Sequence, residues 1–174
     1  MKEEIAMARP KKAPITQETA PQAMEARKLD LAWLAGFIDG EGSIGIYREF
    51  DKRKGENYHV YRGALSIVNT NRDSLERCQE IIGAGRIVPH RSHKAQRPTH
   101  KLAYHWALRK QELLWDILLE LTPYLVIKKM QALLVADYCD SRMATPPTRG
   151  WYRPYTEEQL ENYQLTKIFN KRGV

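Results

Sequence analysis

The chain has 174 residues, 43% hydrophobic and 28% charged, a composition that suits one folded domain and excludes a disordered or collagen-like polymer. Its 28 Lys+Arg outnumber 21 Asp+Glu, giving a formal net charge of +7, so an acidic polymer such as nucleic acid is a natural partner. Cys78 and Cys139 both sit in apolar helical settings with no CxxC spacing, which argues against a disulfide framework and against a cysteine zinc site.

Residues 1–28 carry Pro10, Pro14, Pro21 and a basic Arg9-Pro10-Lys11-Lys12 cluster with weak periodicity, and they read as a flexible N-terminal tail. They lack the apolar core of a secretory signal, and the longest apolar run, Leu133–Ala136, is far too short to cross a bilayer. The expectation is a protein of the cell interior, not secreted, with no membrane partner. Residues 30–40 then read as a helix, with Asp30 as N-cap and Gly40 or Gly42 as the stop. Ser43–Phe50 and Tyr58–Val68 alternate as two strands of a hairpin around a polar loop.

Asn69, Thr70 and Asn71 offer caps for a helix that carries Leu75, Cys78, Ile81 and Ile82 and closes at Gly83-Ala84-Gly85. Arg86–Arg91 and Lys101–Arg109 form a second strand pair around a basic loop with Arg91, His93, Lys94 and Arg97. Helices are predicted at about 111–121, 124–142 and, after a Pro-rich break, 156–169. The order gives an α+β fold, α-β-β-α-β-β-α, with helices on one face of a four-stranded antiparallel sheet. Residues 29–174 form its single domain, with the last helix as an appendage.

Asp39 and Glu41 flank Gly40 where the first helix ends, and negative charge there opposes the helix dipole. Either this is a solvated capping turn or the carboxylates and free carbonyls hold a divalent cation that prefers hard oxygen ligands. Ala32, Ala35, Gly36 and Gly40 leave one side of the helix nearly bare, a surface suited to close packing on a second helix. Two such helices side by side would join their carboxylate turns.

Leu34 to Gly42, LAGFIDGEG, resembles the signature of the LAGLIDADG homing endonucleases. Ser66–Asn71 with the helix closing at Gly83–Ile87 is similar to the family's second segment, and Leu121–Gln131 to the stretch that carries its lysine. The resemblance implies that fold and a site-specific double-stranded DNA endonuclease, intron-encoded and working beside DNA in the cytoplasm, nucleoid or organelle matrix. It implies hydrolysis at a long pseudo-palindromic site with short 3′ overhangs. The implied metal is Mg²⁺, replaceable by Mn²⁺, while Ca²⁺ would support binding without cleavage. The same scaffold leaves an intron RNA maturase, with RNA as partner, or a non-cleaving DNA-binding regulator as alternatives.

Carried over residue by residue, Glu41 and the Gly40 carbonyl hold the metal, and Glu41, Lys128 and Asn69 are catalytic. Water serves as nucleophile, so none of the histidines is required, and a His90-x-x-His93 zinc reading is a minor alternative. One motif in the chain implies a homodimer, with Leu31, Ala32, Ala35, Gly36 and Asp39 at its seam, Asp39 being tied into the local hydrogen bonding of the helix end.

Alternation within the strands nominates the DNA-facing residues. The first hairpin supplies Gly45, Tyr47, Glu49, Arg62, Ala64 and Ser66; the second supplies Arg86, Val88, His90, Lys101, His105 and Arg109. Ile44, Ile46, Leu65, Ile67, Ile87, Leu102, Tyr104, Trp106 and Leu108 then face the helices. Arg48, Lys52, Arg53 and Lys54 read as backbone contacts, and Trp151, Tyr152 and Tyr155 as aromatic packing for the last helix.

Overall fold

Strict alternation along the first hairpin sets the sheet. In the computed structural model, which describes residues 20–51, 59–90, 101–148 and 153–171, β1 (Gly42–Phe50) pairs antiparallel with β2 (His59–Asn69). Ile44 lies opposite Leu65, and Tyr47 opposite Arg62. β2 continues to β4 (Tyr104–Leu108), and β4 to β3 (Arg86–Pro89), so the four-stranded antiparallel sheet runs β1-β2-β4-β3.

The central apolar positions of one parity are buried: Ile44, Ile46, Leu65, Ile67, Trp106 and Leu108 are at most 3% exposed. Against this face pack α1 (Ala20–Glu41), α2 (Arg72–Ile82), α3 (Gln111–Leu121) and α4 (Lys129–Ala144). Leu34, Ile38, Leu75, Leu114, Leu118 and Tyr138 fill the shared core. Burial of apolar area at roughly 25 cal/mol per Å² is what holds sheet to helices. α2 is framed as its sequence requires: the Asn71 side chain accepts from the Ser74 amide (3.1 Å), and Gly83 closes the helix at φ 72°.

Four expectations need correction. α1 begins at Ala20, so residues 20–28 belong to a helix and not to a tail; Ala, Gln, Met, Glu, Arg and Lys are strong helix formers. Arg27 anchors this extension by donating to Glu120 (2.7 Å) and to the Ile81 carbonyl (2.5 Å). β4 starts only at Tyr104, which leaves Lys101 outside the strand and Leu102 49% exposed instead of in the core. α4 starts at Lys129 rather than 124, for a reason that lies in Asp39.

α5 (Glu157–Phe169), expected as an appendage, is built into the structure. Gln159 is fully buried, with its amide donating to Ser141 Oγ (2.8 Å) and Thr145 Oγ1 (2.9 Å) of the α4 end. Tyr155 and Tyr163 stack edge-on against Tyr61. Where β4 stops short, the Tyr155 hydroxyl accepts from the Tyr61 amide (3.0 Å) and the Tyr138 hydroxyl donates to the Tyr61 carbonyl (2.8 Å), satisfying the free edge of β2. The expected roles of Lys52, Arg53, Lys54, Arg91, His93, Lys94, Arg97, Trp151 and Tyr152 lie outside the described residues.

Candidate active site and nucleic-acid interface

α1 ends against β1 with no connecting loop. A side chain at position 42 would meet the Ile38 carbonyl oxygen at 2.8 Å, so only glycine allows the helix to pass straight into the strand. This places Gly40 and Glu41, both exposed, at one end of the sheet. Asn69, two residues past the partner of Gly42, ends β2 at the same end. Its Oδ1 accepts from the Asn71 amide (2.8 Å), an Asx turn that leads into α2.

Asp39 resolves the puzzle of a carboxylate at a helix C-terminus. Its side chain reaches the segment before α4 and accepts from the amides of Val126 (2.7 Å), Ile127 (3.2 Å) and Lys128 (2.9 Å). These amides precede a helix start that has no side-chain cap of its own, so the carboxylate does the work of one. Residues 122–128 are thereby held as turns, which delays α4 to Lys129. The Lys128 ammonium in turn donates to the Asp39 main-chain carbonyl.

Charge follows geometry here. Burial pushes the Asp39 carboxyl upward, but the three amides and the nearby Lys128 charge outweigh it, and the net shift is downward. Burial lowers the Lys128 pKa, opposed by the charges of Asp39 and Glu41. Lys128 thus lies within electrostatic reach of both acids. Two of the residues expected to be catalytic are brought together, and the third, Asn69, ends the neighbouring strand.

The helix face expected as a seam is rotated. Leu31 (5% exposed) and Ala35 (0%) lie in the chain's own core, because they share a stripe with Leu34 and Ile38. Ala32 and Gly36 are exposed, and among the described residues nothing lies within 4 Å of a Cβ built at Gly36 or Gly40. Trp33 beside them is 42% exposed and stacks on Phe37. Asp39 is half-buried and spent on the amides before α4.

The register puts Tyr47, Arg62, Ser66, Arg86, Val88 and His105 on the sheet face away from the helices. His90 follows β3, its amide bonded to the Ala103 carbonyl (2.8 Å), with its ring 6.1 Å from His105. Glu49, Arg62 and Arg109 engage one another: Arg109 donates to Glu49 (2.5 Å) and Arg62 lies 3.5 Å from it. Gly45 and Ala64, expected to read bases, are buried instead. The Tyr47 hydroxyl folds back to Ser43 Oγ (2.7 Å), and Asn170 reaches the same spot from α5. Asn170 carries no sequence signal, since its position depends on how α5 docks.

This architecture is the LAGLIDADG homing-endonuclease fold. Homing endonuclease I-CvuI, in a structure with the I-CreI target DNA and 2 mM Mg, superposes with a TM-score of 0.63 at 21% identity, covering 86% of this chain and 87% of that one. The archaeal intron-encoded I-Vdi141I, complexed with DNA, gives a TM-score of 0.54 at 20% identity over 82% and 98% of the two chains. The K262A mutant of I-SmaMI gives 0.56 at 18%, over 83% of this chain but 45% of that one. At such identities the likeness is one of fold. No family model matches the chain, and no curated protein sequence matches it. Among the described residues, no helix is long and apolar enough to cross a membrane.

Proposed function

We propose that the chain is a site-specific double-stranded DNA endonuclease that acts as a homodimer inside the cell. The observation that carries this reading is the Asp39 clamp, which fixes the Lys128 ammonium beside the exposed Glu41 carboxylate at one end of the sheet. The sheet's outer face, with Arg62, Arg86 and His105, is a surface for the major groove.

The donor set fits a hard divalent cation. Glu41 and the Gly40 carbonyl would hold it, and among the described residues no cluster of three or more His, Cys, Asp or Glu competes for it. Mg²⁺ needs only one or two carboxylates and keeps several waters. When bound, such an ion supplies positive charge where the phosphoryl oxygens gather negative charge in hydrolysis. Lys128, its ammonium bonded to the Asp39 carbonyl, is the group that would neutralise the departing 3′ oxygen. Asp39 holds Lys128 still, and Asn69 marks the neighbouring strand end as a place to orient water.

The bare side of α1 supports dimerisation. Among the described residues nothing lies within 4 Å of a Cβ at Gly36 or Gly40, and Val126 (83% exposed), Ile127 (70%) and Met130 (50%) continue an apolar surface from the Asp39 clamp. The chain also spans less than half of I-SmaMI, which leaves room there for a second unit of this size. Two copies meeting along α1 would pair their Glu41 carboxylates across a two-fold axis.

Incubation with a randomised duplex library tests the reading. The expected result is a pseudo-palindromic sequence bound in Ca²⁺ and cut on both strands in Mg²⁺, with short 3′ overhangs on the products. Tight binding of one sequence with no cutting in Mg²⁺ or Mn²⁺ would leave a DNA-binding regulator and refute the nuclease.

A further inference from the structure

The C-terminal end of α5 crosses the outer edge of the sheet. Asn170, the residue that caps α5, donates from Nδ2 to the Ile44 carbonyl on the free edge of β1 (2.9 Å). The same nitrogen lies 2.9 Å from where a Cβ on Gly45 would stand, and Gly45 points to the face away from the helices. The carboxamide therefore wraps from the edge carbonyl onto the outer face, and glycine at 45 leaves it the space. Tyr47, tied to Ser43, stands 3.5 Å from the same point. Between them they cover Gly45, so this point of the face presents side chains from elsewhere.

Asn170 itself stays exposed. A carboxamide has two N–H donors and one oxygen acceptor. One N–H serves Ile44, and among the described residues no hydrogen bond engages Oδ1. One N–H and the oxygen thus remain, the donor and acceptor that N7 and the N6 amino group of adenine call for in the major groove. Gln131 of α4 steadies the chain just before it by donating to the Phe169 carbonyl (3.3 Å). Arg48, Lys167 and Lys171 line, together with Asn170, a cavity of about 440 Å³ between β1 and α5, so positive charge that suits a phosphate gathers beside Asn170.

We infer that Asn170 is a base-reading residue that selects adenine at one symmetric pair of positions in the duplex. The inference rests on the DNA-binding reading above and adds a reader from the C-terminal helix to those of the strands.

Library selection in Ca²⁺ with the full chain, Asn170→Ala and Asn170→Asp tests it, with thermal melting to confirm that each variant folds. The wild type should select adenine at one symmetric pair. Asn170→Ala should lose that preference alone and bind the wild-type site about ten- to hundredfold more weakly. Asn170→Asp, close in size but able to donate neither to the Ile44 carbonyl nor to N7, should lose the adenine preference as Asn170→Ala does. In the wild type, 7-deazaadenine at that pair should weaken binding and leave Asn170→Ala unaffected.

Identical preferences in all three proteins would overturn the inference, as would insensitivity of the wild type to 7-deazaadenine at every selected adenine. A wild type that selects no sequence at all would instead refute the DNA-binding reading.

Discussion

Asp39 grips Lys128 from both sides: its carboxylate accepts the Lys128 amide at 2.9 Å, while its own carbonyl accepts the Lys128 ammonium. One residue at the end of the first helix thus fixes both the backbone and the charged tip of a residue 89 positions later. Positioning of this kind is where electrostatic stabilisation is made in advance of the reaction.

The clamp predicts a pH signature. The folded carboxyl titrates below its ordinary 3.8, so its stabilisation is fully present above about pH 3.8 and is lost as pH falls through the lower folded value. Asp39→Asn removes the charge and should cost about 1–2 kcal/mol at pH 7, roughly 2–8 °C in melting temperature. Melting curves of both proteins from pH 7 to pH 2.5 should converge below about pH 3.8. A gap that stays constant to pH 2.5 would show that the three amides do not depend on the charge.

Gly36 separates folding from assembly. Because no described residue comes within 4 Å of its Cβ position, Gly36→Leu should leave the melting temperature of the isolated chain unchanged or raise it by the helix-propensity gain of about 0.5–1 kcal/mol. The same side chain would hold apart two helices packed along this face. Sedimentation should show a dimer for the wild type and a monomer for Gly36→Leu, whereas a dimer in both would move the interface elsewhere.

Gln159 tests whether α5 belongs to the fold. It is fully buried, donates to Ser141 and Thr145, and accepts from Arg142 Nη1 (3.2 Å) and the Thr156 amide (3.3 Å). Gln159→Ala removes all four bonds and opens a small cavity, leaving the Ser141 hydroxyl and the Thr156 amide without this partner while Thr145 keeps the Ser141 carbonyl and Arg142 the Pro154 carbonyl; this should cost about 2–4 kcal/mol in urea unfolding. A loss below about 0.5 kcal/mol would return α5 to the status of an appendage.

Much of this was legible in the sequence wherever one short-range rule decided the outcome. Period-two alternation gave the sheet's facing residues, from Ile44 and Leu65 inward to Tyr47 and Arg62 outward. Asn71 and Gly83 marked both ends of α2. The misses share a long-range cause. α4 starts late because Asp39 takes the amides before it, Leu31 and Ala35 turn inward because Leu34 and Ile38 set the buried stripe, and Gly45 is covered by a side chain 125 residues later, 170 less 45. The role proposed for Glu41 came from the resemblance, and its electrostatic reach to Lys128 from the fold.

Glu41 bears on the central claim most directly. It is exposed at a helix C-terminus, so Glu41→Gln removes an unfavourable charge and should not lower the melting temperature. Single-turnover cleavage of the selected duplex in Mg²⁺ should then fall about 10²- to 10³-fold or more, with the dissociation constant in Ca²⁺ little changed. Cleavage by Glu41→Gln at the wild-type rate would contradict the account.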